Sequence, residues 1–295
     1  MTAESTPANR PAVDTALVRR LVDARFPQWA ALPLRRVEPA GSDHVIHRLG
    51  AELSVRLPRH AGAIGQARKE AEWLPRLAPH LPLDVPVPVA VGEPALGYPW
   101  PWAVTRWLDG DPVAVGALAD SAEAATALAG FLTALRRCPS PGDGAQGLTV
   151  RSLAARDRST REAIAAFGGE FGAEAMTALW DAALAAPAWE HPPVWFHGDL
   201  HTGNLLTRGG RLGAVIDFGE LGVGDPACDL TIAFTVMSAR SRAVFRAALD
   251  VDDATWARGR GWALTTGLAA HTAYAATDPR VAAQTTRQIT EALAG

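Results

Sequence analysis

Residues 194–220 decide the fold of this chain. They read VWFHGDLHTGNLL (194–206), TRGGR (207–211) and LGAVIDFGE (212–220). Two apolar runs flank a Gly-Gly pair, and this pattern predicts a β-hairpin with a tight turn. The loop before the hairpin carries Asp199 and Asn204, and Asp217 follows its second strand. We therefore expect this segment to bring two carboxylates and one amide together.

The same segment resembles a known family. His197-Gly198-Asp199, with Asn204 five residues beyond the aspartate, resembles the catalytic loop of eukaryotic-like kinases in the form used by aminoglycoside phosphotransferases. Residues 216–219 (IDFG) resemble the metal-binding segment of that group, and residues 224–230 (GDPACDL) its GDPxxDL segment. The resemblance spans residues 34–230 and is more specific in its second half. It implies a small-molecule kinase that uses ATP, or GTP, with Mg²⁺.

The resemblance assigns roles that suit phosphoryl transfer, which needs positioning and charge neutralisation more than covalent chemistry. Asp199 is the predicted catalytic base. Asn204 and Asp217 are the predicted Mg²⁺ ligands, since oxygen atoms are the ligands this ion prefers. His197 is expected to brace the loop backbone. Asp229 is expected to hydrogen-bond the same loop, a role compatible with capping the helix that follows.

Each of three further polar residues in this segment can be interpreted in two ways. His201 resembles a general base by residue type, but a supporting or packing role is an equal alternative. Asp225 and Glu220 lie near the predicted metal ligands in sequence, and each either faces substrate or has a structural partner.

A second group of predicted ligands lies in the first third of the chain. Arg56 occupies the place of the family's phosphate-binding strand lysine, and Glu70 that of the ion-pair partner of this lysine. Arginine keeps the charge but is longer and planar, so this is a departure from the family pattern. Lys69 is the only lysine among 28 basic residues, and we expect it to point away from Glu70 because the two are adjacent on a helix.

The remaining nucleotide contacts are predicted by position alone. Ser42 belongs to the turn that would cover the phosphates, where its hydroxyl and neighbouring N–H groups would bind them. Residues 106–108 align with the hinge whose backbone would bond the nucleobase, so Arg106 and Leu108 are predicted nucleotide contacts.

The order of predicted elements gives the fold class. A β-rich first third followed by a helical remainder predicts an α+β, two-lobe, protein-kinase-like fold with a small antiparallel N-terminal sheet and a mostly helical C-terminal lobe. We expect a nucleotide-binding lobe at residues 1–107 and a catalytic and substrate lobe at 108–295. An Asp120/Glu123 pair predicts a capping box. Predicted strands lie at 34–39, 44–49, 52–57, 85–91 and 101–108, and predicted helices at 14–26, 63–77, 120–137, 153–167, 173–184, 229–240, 243–249, 256–277 and from 279.

Composition limits the possible partners and compartments. The formal net charge is −3, which does not favour nucleic acid or an anionic membrane surface. The polar N-terminus, the lack of an apolar run near ~18 residues and the two distant cysteines predict a cytoplasmic protein. The expected partner is a small-molecule hydroxyl acceptor, with the oligomeric state left open.

The identity of the acceptor is predicted from the resemblance. By resemblance, it is a hydroxyl of an antibiotic such as an aminoglycoside. A metabolite kinase of the choline, homoserine or sugar-amine type is the alternative within the class. A nucleotide-binding pseudoenzyme is the alternative outside it, and Arg56 is the one feature in its favour.

Overall fold

The computed structural model describes residues 12–38, 41–142, 147–149 and 151–295. The chain divides into two compact units. The first comprises residues 1–79, 84–109 and 217–219, and the second residues 80–83, 110–216 and 220–295. Among the described residues, no helix is both long enough and apolar enough to cross a bilayer.

The first unit is built on a five-stranded antiparallel sheet, in the order β1-β2-β3-β5-β4. The strands are β1 (Leu34–Arg36), β2 (His44–Leu49), β3 (Leu53–Pro58), β4 (Pro88–Gly92) and β5 (Trp102–Arg106). Gly50, at a φ of 63°, starts the tight connection between β2 and β3, a conformation glycine adopts without strain. β4 is irregular, with a register shift between Pro88 and Ala90, because proline cannot donate to the ladder.

Two helices cover this sheet, α1 (Thr15–Arg25) and α2 (Gln66–Leu77). α1 begins after Asp14, whose side chain accepts a hydrogen bond from the main chain of Leu17. An aromatic cluster joins the layers, with the rings of Phe26 and Trp102 edge to face at 5.5 Å. α2 buries Glu70 together with Trp73, Leu74 and Leu77, so it carries a carboxylate on its core-facing side.

The second unit is mostly helical. Its helices are α3 (Ala122–Arg137), α4 (Asp157–Phe171), α5 (Ala173–Ala185), α6 (Thr231–Thr235), α7 (Ala239–Leu249), α8 (Asp253–Tyr274) and α9 (Pro279–Ala294). α8 is the central helix, and twelve of its residues are buried. α3 begins at a cap formed by Ser121, whose hydroxyl accepts from the main chain of Ala124. The predicted capping box is therefore wrong, and Asp120 instead accepts a hydrogen bond from Ser238.

Short strands in the second unit hold the decisive segment. They are β6 (Asp111–Pro112), β7 (Val194–Phe196), β8 (Leu205–Arg208), β9 (Arg211–Val215) and β10 (Gly222–Gly224). β8 and β9 form the predicted hairpin, and Gly209 and Gly210 both have positive φ, as a tight hairpin turn requires. β7 pairs with β10, and Phe196 lies opposite Gly222. The start of the loop that carries Asp199 is therefore next to the strand that follows the hairpin.

Candidate active site

The loop after β7 is held by a buried carboxylate. Asp229 accepts hydrogen bonds from the main-chain N–H groups of His197 at 2.9 Å and Gly198 at 2.8 Å, one on each oxygen. Burial raises the pKa of Asp229, while the two main-chain donors and the guanidinium group of Arg136 oppose this shift. One side chain thus fixes two consecutive peptide groups immediately before Asp199.

His197 braces the same loop from inside. Its Nδ1 accepts a hydrogen bond from the main chain of Asp199 at 3.2 Å, and its Nε2 lies 3.0 Å from the carbonyl of Ile216. A carbonyl can only accept, so Nε2 carries the proton and the ring is the neutral Nε2–H tautomer. The histidine therefore ties the loop to the end of β9 and has no lone pair left for proton transfer.

Asp199 and Asn204 meet in the same loop. Nδ2 of Asn204 donates to the main-chain carbonyl of Asp199 at 2.8 Å and lies 3.3 Å from its carboxylate. Because Nδ2 is committed to Asp199, the amide oxygen of Asn204 is directed to the opposite side as an acceptor or ligand. Asn204 is buried, whereas 51% of the Asp199 side chain is exposed.

The carboxylate of Asp199 is ionised across the physiological range. Desolvation opposes its ionisation, but the contact with the N–H group of His201 and the charge of Arg151 outweigh it and lower the pKa to about 2. Nε2 of His201 lies 3.7 Å from the carboxylate, and Nδ1 accepts from the main chain of Gly203. With Nδ1 occupied as an acceptor, His201 presents N–H rather than a lone pair towards Asp199.

Asp217 follows the hairpin with an unusual backbone. It has a φ of 63°, a left-handed conformation that aspartate tolerates better than most residues. The preceding residue, Ile216, donates its N–H to the carbonyl of Asn204 at 2.9 Å. Asp217 therefore directly follows a residue whose main chain is hydrogen-bonded to the loop of Asp199.

Within the first unit, Asp217 belongs to a group with Arg56 and Glu70. Nη1 of Arg56 donates to Glu70 at 2.7 Å, and Nη2 donates to Asp217 at 3.3 Å. The Arg56–Glu70 pair is buried, with side-chain exposures of 9% and 2%, whereas Asp217 is 38% exposed. Burial raises the pKa of Glu70 although Arg56 opposes it. Burial lowers the pKa of Arg56, but the two carboxylates outweigh this and raise it, so the guanidinium stays charged.

Lys69 reaches the same segment by another route. Its ammonium group donates to the carbonyl of Gly219 at 2.5 Å, two residues beyond Asp217. A Cβ on Gly219 would lie 2.6 Å from the side chain of Gln66, so α2 packs tightly over this turn. The spacing of residues in the sequence did not indicate this contact of Lys69 with Gly219.

The other predicted nucleotide contacts have partners of their own. The hydroxyl of Ser42 donates to Asp43 at 3.0 Å and is exposed. The main-chain N–H of Arg106 donates to Val87, and that of the next residue, Trp107, to Glu52. Of the residues predicted to form the hinge, Leu108 therefore has the main-chain N–H best suited to a base, because the two before it are used within the sheet.

Glu220 and Asp225 have structural partners. Arg151 donates to Glu220 at 2.8 Å, and Arg258 donates to Asp225 at 2.7 Å. Asp225 also caps the short turn at Pro226–Leu230. For Asp225 the structural alternative holds, whereas Glu220 keeps 44% of its side chain exposed. Sequence reasoning missed both arginines, since no local pattern links residues 33 and 69 positions apart.

Each of the two predicted Mg²⁺ ligands offers an oxygen atom of the kind that a hard divalent cation accepts. Asn204 offers an amide oxygen with fixed orientation, and Asp217 a partly exposed carboxylate oxygen. Mg²⁺ commonly takes one or two protein oxygens, the remaining positions being water and substrate phosphate. Within the described ranges, no group of three or more His, Cys, Asp or Glu side chains is arranged to hold a metal ion.

Comparison with known proteins identifies the family. The sequence model of the phosphotransferase enzyme family matches residues 33–262, most of the chain. The chain belongs to this family. This phosphotransferase is thus an enzyme that uses ATP or GTP to phosphorylate a hydroxyl group of a small molecule. The predicted resemblance is confirmed. A search among curated proteins gave no match.

Solved structures agree on the fold of this phosphotransferase. The GDP complex of wild-type aminoglycoside 2'-phosphotransferase-IIIa is 18% identical, with 96% of this chain and 99% of that chain covered and a TM-score of 0.73. Macrolide 2'-phosphotransferase MphH from Brachybacterium faecium, as apoenzyme, is 26% identical, with 90% and 97% covered and a TM-score of 0.62. The streptomycin-ATP-APH(2'')-IIa ternary complex is 16% identical, with 95% and 96% covered and a TM-score of 0.61. The predicted α+β, protein-kinase-like fold is confirmed.

Proposed function

We propose that this phosphotransferase transfers the γ-phosphoryl group of ATP to a hydroxyl of a small-molecule antibiotic, with Asp199 as its catalytic residue. One observation carries the proposal. The backbone around Asp199 is fixed by Asp229, His197 and Asn204, while half of its carboxylate side chain stays accessible. A rigid loop with an accessible, ionised carboxylate is what the positioning of an attacking hydroxyl requires.

The low pKa of Asp199 defines what it does. A carboxylate with a pKa of about 2 is a weak base, so it accepts a hydrogen bond from the acceptor hydroxyl and aligns the oxygen for attack. The bond from this oxygen to the γ-phosphorus forms as the bond to the β–γ bridging oxygen breaks, and ADP departs with that electron pair. The hydroxyl proton becomes acidic as the new bond forms, passes to Asp199, and is then released to water.

Asn204 and Asp217 are the proposed ligands of Mg²⁺. The amide oxygen of Asn204 is oriented by the bond from Nδ2 to Asp199, and Asp217 is held by Arg56. When bound, Mg²⁺ neutralises charge on the phosphate oxygens during transfer. The neutral amide supplies a ligand without adding a second negative charge close to the phosphates.

Arg56 is the proposed phosphate-binding cation of the first unit. Its ion pair with Glu70 holds the guanidinium by one nitrogen, and the second contact reaches Asp217. Arginine thereby fills the role that the family gives to lysine, and the charge is retained. The pseudoenzyme alternative rests on this one replacement, while Asp199, Asn204 and Asp217 are all present.

Nucleotide recognition is proposed for residues 1–107 and the hinge. We expect the main-chain N–H of Leu108 to bond the base, with the carbonyl of Arg106 as the matching acceptor. Ser42 contacts the phosphates once its hydroxyl turns from Asp43. Backbone contacts of this kind serve adenine or guanine, so GTP is the second nucleotide to be tested beside ATP. Residues 108–295 are the proposed catalytic and acceptor lobe.

Two antibiotic classes and one metabolite class are candidate acceptors. The similar structures include phosphotransferases named for aminoglycosides and for macrolides. The aminoglycoside acceptor predicted from sequence carries several ammonium groups, whereas a macrolide carries at most one. A metabolite alcohol of the choline, homoserine or sugar-amine type is the alternative. The number of positive charges on the acceptor therefore distinguishes an aminoglycoside from a macrolide.

The test is product formation with the full chain. The protein is incubated with Mg²⁺ and ATP or GTP against aminoglycosides, macrolides and amino alcohols, and a gain of one phosphate on an acceptor is measured by mass spectrometry. We expect at least one acceptor to be phosphorylated with stoichiometric release of nucleoside diphosphate. Nucleotide binding without product on any acceptor would contradict the proposal and favour the pseudoenzyme.

A further inference from the structure

An arginine lies directly against the loop of Asp199. Nε of Arg151 is 3.1 Å from the position that a Cβ on Gly198 would occupy, so this guanidinium group packs beside the residue before the proposed base. Nη2 of Arg151 donates to Glu220, and 14% of the arginine side chain is exposed. Asn204 donates from Nδ2 to the main-chain carbonyl of Asp199, and its amide oxygen is the proposed metal ligand.

A second arginine extends this positive charge. Arg151 and Arg156 both lie over the ring of Trp262, at 5.7 and 5.8 Å from its centroid. Nε of Arg156 donates to the hydroxyl of Thr265 at 3.1 Å. Among the residues that the structure describes, Arg156 has no carboxylate within ion-pair distance. The guanidinium wall, defined as Arg151, Arg156 and Trp262, thus has two cations and a single paired carboxylate, Glu220.

The acidic residues of the surrounding helices do not reverse this balance. Most carboxylates on or near α4, α5 and α8 are already paired with a cation. The pairs are Asp157 and Asp181 with Arg161, Glu162 with Arg158, and Asp225 with Arg258. A ligand with several ammonium groups needs unpaired carboxylates, and these helices offer it few.

The surface next to Thr265, the residue that accepts the hydrogen bond from Arg156, carries mostly hydroxyl and methyl groups. The hydroxyls of Thr265 and Thr160 are hydrogen-bonded at 2.6 Å, and both line a groove of about 320 Å³ between α4 and α8. The other lining residues are serine, threonine and alanine, with Glu162 as the one carboxylate among them.

We infer that the guanidinium wall selects an acceptor alcohol that presents carbonyl or carboxylate oxygens, rather than ammonium groups, beside its reactive hydroxyl. This inference rests on the proposed function and narrows it to neutral or anionic alcohols, a class that excludes polycationic aminoglycosides. Guanidinium groups donate several hydrogen bonds and accept none, so carbonyl and carboxylate oxygens are their natural partners. The same two cations repel an ammonium group placed near Asp199.

A matched ligand pair tests the inference. An aminoglycoside and its fully N-acetylated derivative share rings and hydroxyls, but acetylation replaces each ammonium group with a neutral amide. Binding of each to the full chain is measured by calorimetry in the presence of Mg²⁺ and a non-hydrolysable ATP analogue. We expect the acetylated compound to bind at least about tenfold more tightly than the parent. Failure of the acetylated compound to bind more tightly overturns the inference.

Charge reversal supplies the second arm. Arg156→Glu is expected to shift the affinity ratio towards the polycation by about tenfold or more, because it replaces a repelling charge with an attracting one. Arg211→Glu, at a side chain that is 76% exposed on the β8–β9 hairpin, makes the same change in net charge and is expected to leave the ratio unaltered. Equal effects of the two variants overturn the inference.

The proposed function and the inference on acceptor charge can be contradicted independently of each other. A lack of phosphorylated product across all acceptor classes contradicts the proposed function, whereas the inference on charge is decided by the binding ratio. Phosphorylation of a polycationic acceptor with a higher kcat/KM than its neutral counterpart leaves the kinase activity intact and overturns the inference alone.

Discussion

Arg56 donates from Nη1 to the carboxylate of Glu70 at 2.7 Å, and both side chains are almost fully buried. The same guanidinium reaches Asp217 with its other terminal nitrogen. A strand and a helix of the first unit therefore hold one cation in a fixed place, and that cation in turn holds a proposed metal ligand.

Removing either partner of this pair is expected to destabilise the protein strongly. Arg56→Met leaves Glu70 buried without its cation, which costs about 3–5 kcal/mol of unfolding free energy. The double variant Arg56→Met with Glu70→Gln should recover much of this loss. Urea unfolding of the wild type, the two single variants and the double variant measures the coupling between the two residues. Arg68→Met is the matched control, because its pair with Glu93 is exposed. Additive single effects in the double variant would contradict a coupled pair.

Asp229→Asn is expected to weaken the loop that carries Asp199. An amide can accept with its oxygen only, so its NH₂ group would face one of the two main-chain donors, at a cost of about 1–3 kcal/mol. Activity should fall with stability, measured by thermal unfolding and kcat. Asp252→Asn is the control, since this carboxylate accepts one main-chain N–H at the start of α8 and asparagine also caps helices. Equal stability losses would argue against the double-acceptor role.

Gly198→Ala is expected to lower stability by about 2 kcal/mol or more. Gly198 has a φ of 88°, and an added Cβ would lie 2.5 Å from the main-chain oxygen of Glu220. The control is Gly130→Ala within α3, where the added Cβ meets no neighbour and should stabilise by about 0.5–1 kcal/mol. Chemical denaturation measures both, and a neutral Gly198→Ala would show that the loop adapts.

The pH dependence separates Asp199 from His201 as the group that engages the hydroxyl. The folded-state pKa of Asp199 lies below its ordinary value, so the carboxylate is ionised well above pH 2, and protonation removes it only as pH falls towards 2. We expect kcat of the wild type to be independent of Asp199 titration between pH 5 and 8. His201→Asn, which keeps a capping acceptor, should retain kcat at pH 7 within about threefold. A loss of about 10²–10⁴ in this variant would make His201 the base.

Local patterns in the sequence predicted much of the first unit and the decisive segment. The Gly-Gly pair at 209–210 predicted the β8–β9 hairpin, and the strand predicted at 44–49 has the observed bounds of β2. Such features depend on neighbours within a few residues. The approach of Asn204 to Asp199 was equally accessible, because both belong to one short loop.

Ion pairs between residues far apart in the sequence could not be predicted in the same way. Arg258 with Asp225 and Arg151 with Glu220 join elements far apart in sequence, and no periodicity encodes such pairs. The predicted start of α3 was wrong because Asp120 and Ser121 are both good capping residues. The long-range contact of Asp120 with Ser238 leaves the cap to Ser121. The site could thus be located from the sequence, but the surroundings that bear on acceptor charge could not.

The most direct test of the account is the rate of phosphoryl transfer by Asp199→Asn. Asparagine keeps the size of the side chain but cannot take the proton, and we predict a fall in kcat of about 10²–10⁴ with unchanged nucleotide affinity and melting temperature. Asp253→Asn, at a side chain that is 99% exposed, should leave kcat unaltered. Turnover by Asp199→Asn within about threefold of the wild type would contradict the central claim.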